Sequence, residues 1–85
     1  MDRLIRVADK LMTDFCYELG SVETGMPVLK RQFERAGVDV KGPTAESLER
    51  VIDYLAQVER DFKGPEEIEA NRRRRLDWLA GKDWD

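Results

Sequence analysis

Thr44-Ala45-Glu46-Ser47-Leu48-Glu49-Arg50-Val51-Ile52-Asp53-Tyr54-Leu55-Ala56-Gln57-Val58-Glu59-Arg60-Asp61-Phe62 carries the clearest helical signature in the chain. Leu48, Val51, Ile52, Leu55, Val58 and Phe62 recur at steps of three and four, which places their side chains on one face of a helix. Tyr54 flanks that face. Thr44 suits the N-cap, where its hydroxyl accepts from a backbone N–H that has no helical partner. Glu46 sits in the first turn, at the positive end of the helix dipole. Glu46–Arg50 and Glu59–Lys63 are four apart with the acid first, the favourable order. Lys63-Gly64-Pro65 then stops this helix and starts another.

The same period recurs on both sides. Upstream, Leu4, Val7, Ala8, Leu11, Met12, Phe15 and Leu19 make a stripe covering about half the circumference of a helix over Asp2–Leu19, wider than one surface contact requires. This helix is expected to sit centrally, with Cys16 at the stripe's edge, Tyr17 pointing away and Gly20 as its stop. Ser21–Gly25 reads as a connector, with Thr24 or Gly25 capping a second helix and Pro27 in its first turn. Met26, Val28, Leu29, Phe33 and Ala36 form that helix's apolar side, and Gly37 with Val38 suits a Schellman-type end. Val38–Pro43 is the most loop-like stretch, a linker whose Val38 and Val40 turn one side to the core. Downstream, Pro65 followed by Glu66 and Glu67 opens a fourth helix, whose apolar residues Ile68, Leu76 and Leu79 make the weakest stripe, with Trp78 to one side and Gly81 as its stop.

Four helices with short connectors predict an all-α fold, a small four-helix bundle with mostly antiparallel neighbours. Residues 1–80 read as one helical domain and 81–85 as a short C-terminal tail. An 85-residue chain buries roughly 60–65% of its unfolded surface, enough for one thin core. No apolar run approaches a membrane span, and the charges in Met1–Arg6 argue against a signal peptide, so no membrane association and a cytoplasmic location are expected.

Composition excludes much chemistry. The chain has no histidine and a single cysteine, Cys16, which removes Ser-His-Asp and Cys-His catalysis, His- or Cys-ligated zinc and an internal disulfide. Cys16 sits mid-helix, away from a positive helix start, and reads as a small apolar residue. Glu46, Glu49 and Asp53 share a helix face with Arg50 among them, the pattern of a solvated surface. No catalytic residue, metal site or cofactor is expected. The net charge of −3 disfavours a general nucleic-acid binder.

Two features suggest partner binding. Arg72-Arg73-Arg74-Arg75 spreads around most of a helix at 100° per residue. Arg72 and Arg75 fall in the sector of Ile68 and Leu79, Arg73 among Glu66, Glu69 and Asp77, and Arg74 near Glu67. One reading neutralises Arg73 with helix neighbours and lays the stems of Arg72 and Arg75 over the core edge, with their heads in water. The other gives Arg72, Arg74 and Arg75 to phosphate, nucleic acid or an acidic protein. Trp78 suits the core or its edge. Trp84, beyond the helix stop, either folds back or anchors in a partner. The candidate partner-binding residues are Arg72, Arg74, Arg75, Trp78 and Trp84.

Phe15-Cys16-Tyr17-Glu18-Leu19-Gly20-Ser21-Val22-Glu23-Thr24 resembles the segment around the phosphopantetheine serine of acyl carrier proteins, and Val51–Leu55 looks like that family's closing helix. The pattern departs from the family where Gly20 replaces the Asp before the serine, where Pro27 enters the following helix, and where Arg31 and Arg35 take apolar positions. Ser21 is accordingly read as a turn residue. The function expected is a non-enzymatic interaction module or small subunit that binds a protein partner or a second copy. The alternative is a nucleic-acid-binding helical regulator using the Arg72–Arg75 helix.

Overall fold

The computed structural model describes residues 3–82, which form α1 (Arg3–Leu19), α2 (Val22–Ala36), α3 (Ala45–Glu59) and α4 (Pro65–Ala80). No strand occurs among the described residues. The architecture is the expected small all-α four-helix bundle. Arg3 at the start of α1 reaches the end of α4, while Glu18 near the end of α1 meets Asn71 in the first half of α4, so these two helices run antiparallel.

The breaks between helices follow backbone chemistry. Gly20 takes φ 89° and Gly37 φ 75°, left-handed values that cost a Cβ-bearing residue roughly 1–2 kcal/mol. Each closes a Schellman motif. Ser21 N–H donates to Cys16 O and Gly20 N–H to Tyr17 O at the end of α1, and Val38 N–H donates to Phe33 O and Gly37 N–H to Glu34 O at the end of α2.

The start of α2 corrects the sequence reading. The helix begins at Val22, not near Met26, and Ser21 is its N-cap, with Oγ accepting from Thr24 N–H at 3.3 Å. The chain turns from one helix into the next in two residues because Ser21 completes the first helix's end and caps the second. Pro27 therefore lies inside α2, past its first turn, and cannot donate a helical bond to the Glu23 carbonyl. The earlier start also sets which residues face inward. Gly25, Leu29, Gln32, Phe33 and Ala36 are buried, while Met26, expected on the apolar side, is 41% exposed.

The other end of the bundle is closer to expectation. Thr44 caps α3 in a reciprocal capping box with Ser47: Ser47 N–H donates to Thr44 Oγ1 at 3.1 Å, and Thr44 N–H to Ser47 Oγ at 3.2 Å. Helix α3 ends at Glu59 rather than running on to Phe62. Residues 60–63 continue in turns bonded to the Gln57, Val58 and Glu59 carbonyls, which leaves Phe62 44% exposed instead of on the apolar face. In the linker, Val38 packs against the core, but Val40 is exposed because a turn closed by Asp39 on Lys41 and Gly42 carries it outward.

Helix α1 packs on α2, α3 and α4, as its wide stripe predicts, and α2 also packs on α3 and α3 on α4. Val7, Leu11 and Phe15 of α1, Leu29 and Phe33 of α2, and Leu48, Val51, Ile52 and Leu55 of α3 fill the core. Each such side chain contributes about 1.5–3 kcal/mol on burial. Helix α4 adds only Leu79 as a buried apolar residue, with Leu76 and Trp78 half-buried against the cluster. No helix among the described residues is long and apolar enough to cross a membrane.

Candidate functional site

Two places in the bundle hold concentrated chemistry: the inner face of α4 and the cleft between α1 and the start of α2.

On α4, Ile68, Asn71, Arg75 and Leu79 follow one another at steps of three and four and turn toward α1 and α3. The helical angle expected for Arg75 is thus realised, but its head is not in water. Arg75 is fully buried. Its Nη1 and Nη2 donate to Oε1 and Oε2 of Glu59 on α3 at 3.1 and 2.8 Å, and its Nε donates to Oδ2 of Asp14 on α1 at 2.9 Å. The head goes inward because two other helices supply carboxylates there. A guanidinium without them would face a desolvation penalty of several kcal/mol.

Arg74 also departs from expectation. Its Nη2 lies 2.7 and 2.8 Å from the two oxygens of Asp14, and its Nη1 donates to Asn71 Oδ1 at 3.0 Å, so its partners are on α1 and α4's inner face rather than at Glu67. Asn71 Nδ2 donates to Glu18 Oε1 at 2.9 Å and reaches Glu59 Oε2 at 3.5 Å, and Lys63 Nζ lies 3.3 Å from Glu18. Asp14, Glu18 and Glu59 therefore balance Lys63, Arg74 and Arg75 in one continuous network. Among the described residues, no buried side-chain nitrogen or oxygen lacks a partner.

The electrostatics follow from this geometry. Burial alone would lower the Arg75 pKa, but the Glu59 and Asp14 carboxylates reverse the effect and raise it further. Burial would raise Glu18, but the Asn71 and Lys63 hydrogen bonds outweigh it and hold that carboxyl below its ordinary value. Lys63 is raised by its bond to Glu18 against a smaller opposing effect of burial. Outside the network, Arg72 is half-exposed with Nε 2.9 Å from Asp53 Oδ1, and its pKa is raised by that bond. Arg73 is exposed and 3.9 Å from Glu69, the helix neighbour expected for it. Trp78 is half-buried, with the Lys10 ammonium 4.7 Å and the Arg74 guanidinium 5.6 Å from its ring. Trp84 lies outside the described residues.

Asp14, Glu18 and Asn71 are given no role in the sequence analysis, and Glu59 and Lys63, expected to pair with each other along the helix, instead hold Arg75 and Glu18. A signal for burial was present for two of these five residues. Glu59 continues the stripe of Leu48, Ile52 and Leu55 at the same spacing, and Asn71 lies three residues after Ile68. A carboxylate on one apolar stripe and a guanidinium on another are each placed for burial, and packing alone pairs them.

The second place is an open groove of about 580 Å³. Met12, Cys16 and Tyr17 of α1 form one wall, Val22 and Met26 of α2 the other, and Gly20–Ser21 the end. Tyr17 is 80% and Val22 65% exposed. Cys16 is buried at a close approach of α1 and α2: a Cβ on Gly25 would stand 2.8 Å from Cys16 Sγ and 3.2 Å from its Cα. Comparison with family models, curated proteins and solved structures finds no match to this chain.

The two places offer different chemistry. The α4 network is internally neutralised, and its Arg75–Glu59 centre is shut off from solvent. The groove is accessible and mostly apolar, with Tyr17 adding a flat amphipathic ring at its rim. No group of metal-ligating side chains occurs among the described residues.

Proposed function

We propose that this chain is a non-enzymatic interaction module that associates through the α1–α2 groove, with a second copy as its first partner. The observation that carries this reading is the exposed apolar set of Tyr17, Val22 and Met26 around the groove. Large apolar side chains grouped on a surface favour contact with another protein surface. A phosphate-binding role for the Arg72–Arg75 helix needs guanidinium groups free for an anion. Arg72, Arg74 and Arg75 are instead held by Asp53, Asp14 and Glu59, which weighs against it.

Molar mass measured by sedimentation equilibrium across a wide concentration range tests the proposal. Self-association should appear as a rise in mass with concentration that Tyr17→Lys combined with Val22→Lys abolishes while helicity is kept. A constant monomer mass for the wild-type chain at every concentration would sink the self-association reading.

A further inference from the structure

We infer that α4 is a releasable helix, docked by its charge network onto a body made by α1, α2 and α3 and able to leave it as one unit. Helices α1 and α3 differ from α4 in what they bury. Helix α1 buries Val7, Ala8, Leu11, Phe15 and Cys16, and α3 buries Leu48, Val51, Ile52, Leu55 and Ala56. Helix α4 buries Asn71, Arg75 and Leu79. Apolar burial drives folding in proportion to area, whereas a buried ion pair roughly breaks even between Coulomb attraction and lost hydration. Docking α4 therefore draws its apolar free energy from Leu79, the half-buried Ile68, Leu76 and Trp78 and the strip of α1 and α3 that they cover, while Leu29, Phe33 and Ala36 of α2 go on packing against α1 and α3 without it.

Partner placement points the same way. The carboxylates Asp14, Glu18 and Glu59 belong to the body, and Asn71, Arg74 and Arg75 belong to α4. Release rehydrates both sets at once, so no charge is left buried and alone. A partial slide would leave one buried unpaired charge, which is the costly outcome, and this makes the movement all-or-none. The remaining ties are peripheral. Arg72 holds Asp53 at the surface, Lys10 of α1 lies 4.7 Å from the Trp78 ring, Lys63 lies 3.8 Å from Glu67, and Arg3 donates to the Trp78 and Leu79 carbonyls at the helix's end. The open form presents an acidic face on α1 and α3.

Residue-resolved hydrogen exchange on the full chain under native conditions tests it. The interior amides of α4, from Glu69 to Leu79, should share one opening and exchange at least about tenfold more readily than those of α1 and α3. Equal protection in all four helices, or protection in α4 that only fades gradually toward its C-terminus, overturns the inference. Glu59→Met combined with Arg75→Met leaves Asp14 paired with Arg74 and replaces the hidden ion pair with apolar contact. In that variant α4 protection should rise toward that of α1, and a folded variant with unchanged or lower α4 protection also overturns it. If the variant does not fold, the wild-type pattern decides alone.

Discussion

Glu59 on α3 and Arg75 on α4 grip each other with two parallel hydrogen bonds, of 3.1 and 2.8 Å, at a point where neither side chain touches water. The fork of the guanidinium matches both carboxylate oxygens, and Asp14 occupies its remaining edge through Nε. The pair joins the end of α3 to the middle of α4 across the connector between them.

Removing Arg75 leaves the buried Glu59 carboxylate without a cation, and removing Glu59 leaves Arg75 only Asp14, which it shares with Arg74. Glu59→Ala or Arg75→Ala is expected to cost up to about 3–5 kcal/mol in urea denaturation, with release of α4 setting the ceiling because it rehydrates the orphaned charge. Replacing both with Met is expected to cost far less than the sum, and to be neutral or stabilising, because apolar packing avoids the desolvation penalty. Equal, additive losses in the double-mutant cycle would show that the two side chains do not act as a pair.

Gly25→Ala reverses the usual helix rule. Alanine in a helix interior normally stabilises by about 1 kcal/mol relative to glycine. At Gly25 the added methyl meets Cys16 Sγ at 2.8 Å and the Cys16 backbone at 3.2 Å, so α1 and α2 must separate. The expected outcome is a destabilisation of about 1–3 kcal/mol by thermal or chemical denaturation. Cys16→Ala in the same chain should recover part of it, since the sulfur is removed while the backbone of α1 stays as near as before. A more stable Gly25→Ala protein would mean that the crossing is looser than this geometry.

Glu18 ties stability to pH. Its pKa in the folded chain lies below the unfolded value, so its contribution is complete above the ordinary carboxylate pKa of about 4.3 and is lost as pH falls through the lowered folded value. Lys63 is the mirror case: its contribution is complete below the ordinary lysine pKa of about 10.4 and is lost as pH rises through the raised folded value. The urea midpoint of Glu18→Gln should therefore lie below that of wild type near neutral pH, and the gap should narrow in acid. A gap that stays constant from about pH 7 to pH 3 would remove Glu18 from the acid response.

How much of this was legible depends on whether the signal is local. Thr44 as N-cap, the stops at Gly20 and Gly37 and the inward stripe of α3 rest on interactions within a few residues, so spacing alone reveals them. The start of α2 was misplaced because Ser21 has a double duty: it closes the first helix and caps the second, and a connector of the usual length would have needed more residues. Among the candidate partner-binding residues, Arg72, Arg74 and Arg75 are held by acids on α3 and α1, up to 61 positions away in sequence.

The order of residues was enough to determine four helices, the glycine stops after α1, α2 and α4 and the inward stripes of α1 and α3, because a helix is built from hydrogen bonds and steric limits that span about four residues. Only the packed bundle decided that Arg75 turns inward, that Gly25 presses on Cys16 and that Tyr17 and Val22 are left at an open groove. Those outcomes depend on which carboxylate, sulfur or void a neighbouring helix presents, and the period of one helix carries no information about the face of another.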